Sequence, residues 1–212
     1  MAGENVLLVE GVDDKHVIEK LLYHANLHEH FTVRGKDGLP NIVKTFSLEL
    51  KASGLHRIGI IVDADLSIAE RWNQVRGMLG KAGYKDVPQT PDPTGTVLED
   101  PDLPVVGVWL MPNNIIEGMV EDFVACLVPS DDRALPLAKA ALEGIESADR
   151  RFPPQHFSKA LIHTWLAWQE EPGVKMGAAI ARRYLDPGAA VAATFLSWLT
   201  RMRAIDFKTT QE

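Results

Sequence analysis

Arg57-Ile58-Gly59-Ile60-Ile61-Val62 runs without a break into Asp63-Ala64-Asp65. A short, wholly apolar run that ends in acids reads as a strand covered on both faces, the kind found in parallel sheets between layers of helix. Val6-Leu-Leu-Val9 has the same character and runs into Glu10-Gly11-Val12-Asp13-Asp14. Helical spacing follows it at Val17, Ile18, Leu21 and Leu22. Phe31–Arg34 reads as a second strand. Gly35, Gly38 and Pro40 then form a turn, and Asn41 caps a helix running to about Ser53. Downstream of the deciding strand the pattern predicts a helix over about Ser67–Lys81. A Pro-, Asp-, Gly- and Thr-rich loop follows over Tyr84–Pro104, holding a short strand at Thr96–Leu98. A fourth strand at Val105–Met111 leads through Pro112-Asn113-Asn114 to a helix near Gly118–Leu127. Strand–helix alternation of this kind predicts an α/β domain over 1–128, with a mostly parallel sheet of about four strands flanked by helices.

After Pro129 the strands stop. Helical segments are expected near 131–147, 156–170, 174–185 and 189–202, broken at Pro153-Pro154, Pro172-Gly173 and Pro187-Gly188, which makes 129–212 an all-α extension. Phe157, Leu161, Trp165 and Trp168 share one face of the second segment, and Phe195, Trp198 and Leu199 repeat the theme. Aromatics at helical spacing read as core rather than as platforms for stacked bases.

Hydrophobic residues make up 46% of the chain and charged residues 24%, the balance of a soluble globular protein. No apolar run approaches the roughly 18 residues that a membrane span needs. Met-Ala-Gly-Glu-Asn at the start has no basic segment of the kind that opens a signal peptide, so a cytoplasmic protein is expected. The one cysteine, Cys126, falls on an apolar helical face and is expected as a buried thiol. The net charge of −7 argues against a protein that coats DNA. Charge is unevenly spread, with 14 Lys/Arg against 24 Asp/Glu in residues 1–150 and 8 against 5 in residues 151–212. An acidic half beside a mildly basic one suits a metal-dependent protein that handles a polyanion.

Ligands of open parallel sheets bind at the carboxyl ends of the strands, where Glu10 and Asp63 both stand. A carboxylate at the end of an apolar strand loses hydration and needs something to offset that loss. Asp63 and Asp65, two apart, project to one side of an extended backbone. If the first and third strands are neighbours, three carboxylates converge, and a hard divalent ion, Mg2+ or Mn2+, is the usual remedy for their repulsion. Lys159 and His163, four apart on a helix, can present one face to a phosphate, and Lys36 follows the second strand on the same edge. His24, His28 and His30 lie near a helix C-terminus, where imidazolium is favoured without a metal.

Glu10-Gly11-x-x-Asp14 after the first strand, with Asp63-x-Asp65 after the third, resembles the two motifs of the Toprim domain. That domain occurs in topoisomerases, primases, recombination mediators and OLD-family nucleases. Ile115-Ile-Glu-Gly-Met-Val-Glu-Asp-Phe123 is similar to the acidic segment of OLD-like members, and the tail to the helical extension of small stand-alone Toprim-like proteins. The resemblance implies a Rossmann-like Toprim fold. It also implies that Glu10 is a general acid/base or metal ligand and that Asp63 and Asp65 are Mg2+ ligands, the three together forming the catalytic set. Asp14 with Glu117 or Glu121 would hold a second ion. Ser67 stands where several Toprims have a third acid, and no tyrosine nucleophile or DNA-gate domain is evident, which removes topoisomerase from consideration. No G-x-x-x-x-G-K-[ST] occurs, so any ATPase would be a separate partner.

The expected function is an Mg2+- or Mn2+-dependent phosphodiester hydrolase or nuclease acting on nucleic acid, in DNA repair or defence. The alternative is a Toprim module that binds metal, nucleotide or nucleic acid without cutting. The tail could serve substrate, a partner or a second copy of the chain. A phosphoacceptor of the receiver type needs a lysine after its last strand, and here that strand ends in Trp109-Leu-Met-Pro112.

Overall fold

The computed structural model describes residues 4–52 and 54–205. Five strands, β1 (Glu4–Val9), β2 (Thr32–Gly35), β3 (Leu55–Asp63), β4 (Thr96–Leu98) and β5 (Val105–Met111), form one sheet in the order β2-β1-β3-β5-β4. All neighbours pair in parallel except β4, which runs antiparallel to β5 along the edge. Sequence reading expects about four strands and a short one at Thr96–Leu98 inside the Pro-rich loop; that short stretch is β4, the fifth strand, held by Thr96↔Val108 and Leu98↔Val106 pairing.

Strand alternation divides the core in two. Val6, Leu8, Ile58, Ile60, Val62, Val108 and Leu110 face α2 (Leu39–Glu49) and α3 (Ile68–Lys81). Leu7, Val9, Ile61, Trp109 and Met111 face the other way, onto α1 (Val12–His24), α4 (Val120–Ala125) and the C-terminal helices. Those are α5 (Ala134–Glu143), α6 (Phe157–Ala167), α7 (Met176–Ala181) and α8 (Ala190–Ala204). The tail thus supplies most of one cover of the sheet, with Ile162, Trp165, Ala179, Phe195, Trp198 and Met202 in the same core as β1 and β5. The close approach depends on glycines. A Cβ on Gly107 would lie 2.5 Å from Met202 Sδ, and one on Gly95, whose φ is +95°, would lie 2.4 Å from the Trp198 ring. Trp198 is anchored further by its indole N–H, which donates to the Thr96 carbonyl at 3.0 Å.

Local readings shift by a residue or two. The second strand begins at Thr32 rather than Phe31. α2 starts after Gly38, whose φ of +102° suits glycine, so Asn41 lies inside the helix and its side-chain amide donates to the Asp37 carbonyl. The helix ends at Glu49, and Ser53, its expected end, lies outside the described residues. Trp165, Phe195 and Trp198 are core, whereas Trp168, beyond the last turn of α6, is 47% exposed. Cys126 is exposed and not a buried thiol, because α4 ends at Ala125 and Cys126 is its C-terminal cap. Among the described residues no helix is long and apolar enough to cross a membrane.

Candidate metal centre

β1 and β3 are adjacent, with Val9 opposite Ile61, so the chain leaves both strands at neighbouring points on the carboxyl edge. Glu10 is fixed there by two backbone donors. Its Oε1 accepts from the Asp63 amide at 3.0 Å, and its Oε2 from the Leu39 amide at 3.1 Å. Asp63, the last residue of β3, accepts from the Val120 amide at 2.9 Å through Oδ1. Asp14, in the first turn of α1, is 6% exposed, and its Oδ1 is buried without a hydrogen-bond partner. Gly11 makes room for this side chain, since a Cβ there would stand 2.9 Å from Asp14 Oδ2. Glu121, on α4, is 2% exposed and pairs with Lys159 of α6, Nζ to Oε1 at 3.1 Å.

These acids sense one another. Burial, then the charges of Asp14, Glu10 and Glu121, push the Asp63 carboxyl up to about 9. Burial, with Glu10 and Glu121, pushes Asp14 up to about 6. Burial also raises Glu10, against the pull of Arg71 and of the two amides. Partial burial works against the Lys159 ammonium, but Glu121, with Asp13 and Asp63 beyond it, outweighs this and raises it.

Asp65 departs from the extended geometry that would align it with Asp63. Its φ is +52°, and its carboxylate, half exposed, pairs with Arg71 in α3. Its backbone forms a two-bond bridge with Gly118, N–H to carbonyl at 2.9 Å each way, tying the loop after β3 to the loop before α4. Glu117, beside that bridge, is exposed, so of the two candidate acids it is Glu121 that turns inward. Lys36 is drawn off by Glu49 of α2. His163 is exposed on α6, as are His24, His28 and His30 near α1. Asp122 and Asp132 act as helix caps, accepting from the Met119 and Leu135 amides. Arg71 escaped the sequence reading, although it lies one turn into α3 and only six residues from Asp65.

The donor set is hard oxygen throughout, which suits Mg2+ or Mn2+ over softer metals. The orphaned Asp14 oxygen is a buried acceptor with nothing to bond, on a carboxyl that feels the charges of Glu10 and Glu121, an arrangement a cation would relieve. Among the described residues, no three acidic, histidine or cysteine side chains already converge as the ligands of one ion would. The carboxylates are instead spread over their amide donors, Arg71 and Lys159.

No curated protein and no solved structure matches the chain. Residues 4–204 match the family model described as Protein of unknown function (DUF3226). That span takes in the whole sheet, every acid of the cluster and all four tail helices, and the chain belongs to this family.

Proposed function

We propose that the chain is a Toprim-like, Mg2+- or Mn2+-dependent phosphodiester hydrolase whose substrate is nucleic acid. The observation that carries this reading is the set of acids Glu10, Asp14, Asp63 and Glu121, three of them raised by burial and by one another's charge, with an unpartnered oxygen on Asp14. A divalent ion held by such acids would supply the positive charge that a phosphodiester needs on its non-bridging oxygens. The chain's own groups then have distinct tasks. Glu10, gripped by two amides, keeps a fixed carboxylate at the strand end, suited to hold or move a proton. Asp14, Asp63 and Glu121 are the ligand candidates that share its surroundings. Asp65 reaches the site once released from Arg71, which frees that guanidinium for a phosphate. Lys159, half exposed, offers an ammonium to the same phosphate.

One observation favours the second reading, a module that binds without cutting. Lys159 already neutralises Glu121, which leaves fewer free carboxylates for a second ion. Either reading goes with a cytoplasmic setting and a separate ATPase as a candidate partner.

The test is calorimetric titration of Mn2+ and Mg2+ into wild type and Asp63→Ala, beside cleavage of plasmid and single-stranded DNA. Uptake lost in the variant, with metal-dependent nicking by wild type, supports the hydrolase. Uptake without nicking supports the binding module, and no uptake at millimolar metal sinks both.

A further inference from the structure

A cleft of about 810 Å³ opens between the C-terminal end of α1 and the chain from Ile180 to Gly188. It lies away from the acids, since Asp14 is in the first turn of α1 and His24 is its last residue, about 15 Å further along the axis. Clefts of about 300–1,000 Å³ are the usual size for small ligands. Buried Ile180 and Leu185 form the apolar part of the wall, and Lys20, His24 and Arg183 stand around it. The single acid among the lining residues, Asp186, is engaged, its Oδ1 accepting from the Gly188 amide at 2.8 Å. Among the described residues neither Lys20 nor Arg183 forms an ion pair.

Cations at helix C-termini are ordinarily explained by the free carbonyls there. Here the backbone itself meets most of that need. In α1 the Leu21, Leu22 and Tyr23 carbonyls accept from the Ala25, Leu27 and Asn26 amides. In α7 the Ala178, Ala179 and Ile180 carbonyls accept from the Arg182, Tyr184 and Arg183 amides. Arg183 stands where glycine commonly ends a helix, with φ +61°, so a guanidinium is kept on backbone that disfavours a Cβ. Beside these cations Tyr23 is 67% exposed, its ring steadied by His28 at 4.8 Å between centroids. An exposed ring of this kind is a surface on which a planar base stacks.

We propose that this cleft binds a nucleoside monophosphate, its phosphate on Lys20 and Arg183 and its base against Tyr23. The unpaired cations select an anion, and the guanidinium and ammonium suit phosphate oxygens. The exposed tyrosine selects a flat ring over a bare ion, and the apolar wall leaves a place for the sugar. The site is separate from the acid cluster and does not rest on the phosphodiester reading.

The test is calorimetric titration of AMP, GMP, CMP and UMP into the full chain in chelator, so that no divalent ion occupies the acids. At least one nucleotide should bind about tenfold or more tighter than inorganic phosphate or its own nucleoside. Arg183→Gly, which suits the backbone at that position, should keep or raise the Tm and weaken that nucleotide about tenfold. Tyr23→Ser should keep the fold and remove most of the nucleotide's advantage over inorganic phosphate. Asp63→Ala should bind the nucleotide as wild type does. No binding of any of the four at millimolar concentration overturns the site. Equal affinity for inorganic phosphate reduces the cleft to an anion patch and overturns it as well. Binding lost in Asp63→Ala but kept in Arg183→Gly puts the nucleotide at the acid cluster, which overturns the cleft and leaves the phosphodiester reading standing.

Discussion

Glu10 Oε1 accepts a hydrogen bond from the backbone amide of Asp63 at 3.0 Å, so the acid that follows β1 is fastened to the strand that carries its neighbour. The two carboxyl groups cannot drift apart to relieve their repulsion. Protons, or a cation, must do it instead.

Asp63→Asn keeps an oxygen for the Val120 amide and removes the proton uptake that a carboxyl ionised in the unfolded chain at pH 8 must undergo on entering this site. In chelator the variant should gain about 1–3 kcal/mol at pH 8, roughly 2–10 °C in Tm. Added Mn2+ should raise the Tm of wild type and leave the variant unmoved. A variant less stable than wild type in chelator would contradict the buried-charge account.

Stability without metal should fall as pH rises. A carboxyl whose folded value lies above its ordinary one binds its proton more tightly in the folded state, so its contribution is complete below the ordinary value and is lost up to the folded one. For Asp14 that window runs from 3.8 to about 6, and for Asp63 from 3.8 to about 9. Urea titrations between pH 5 and 9 in chelator should therefore give decreasing midpoints. Mn2+ uptake should run the other way, tightening with pH and releasing protons in calorimetry across buffers of different ionisation enthalpy. A flat profile in both would remove the coupled acids from the account.

Gly11→Ala places a methyl where Asp14 Oδ2 lies, at 2.9 Å, on backbone that any residue can adopt with φ −125°. The side chain of Asp14 must give way while the fold stays. Mn2+ affinity is expected to weaken about tenfold or more, with Tm within a few degrees of wild type in chelator. Unchanged affinity would show that Asp14 is no part of the site.

Trp198→Ala should cost about 3–5 kcal/mol, since the ring is fully buried over Gly95 and Gly107 and its N–H bond to Thr96 is lost as well. Gly107→Val should be destabilising at the same contact by overpacking, about 1–3 kcal/mol or more. Chemical denaturation measures both, and a loss below 1 kcal/mol for Trp198→Ala would mean that α8 is not needed for the core.

The sheet was legible because its three central strands are continuous apolar runs, and the acids were legible because they interrupt such runs at their ends. β4 was marginal for the opposite reason, since three residues in a Pro-rich loop take their structure from pairing with β5. At the site, Glu10, Asp14 and Asp63 could be read from their place after or near strands. The choice between Glu117 and Glu121 could not, because it depends on where α4 starts, and that is set by the Gly118 turn and the Asp122 cap. For Asp65 the sequence predicts an extended backbone. Its left-handed φ and its pairing with Arg71 come from the bridge to Gly118, a contact 53 residues away in sequence that no local pattern records.

Of the described elements α8 is the last to leave the ribosome, yet Trp198 and Met202 close over the glycines of β3 and β5. A nascent chain stopped before that helix has made Glu10, Asp14, Asp63 and Glu121 already, but it lacks the layer that seals the sheet beneath them. The order of synthesis thus delays the assembled acid site until α8 has been made, and products terminated before it would be open, aggregation-prone chains rather than stray active fragments.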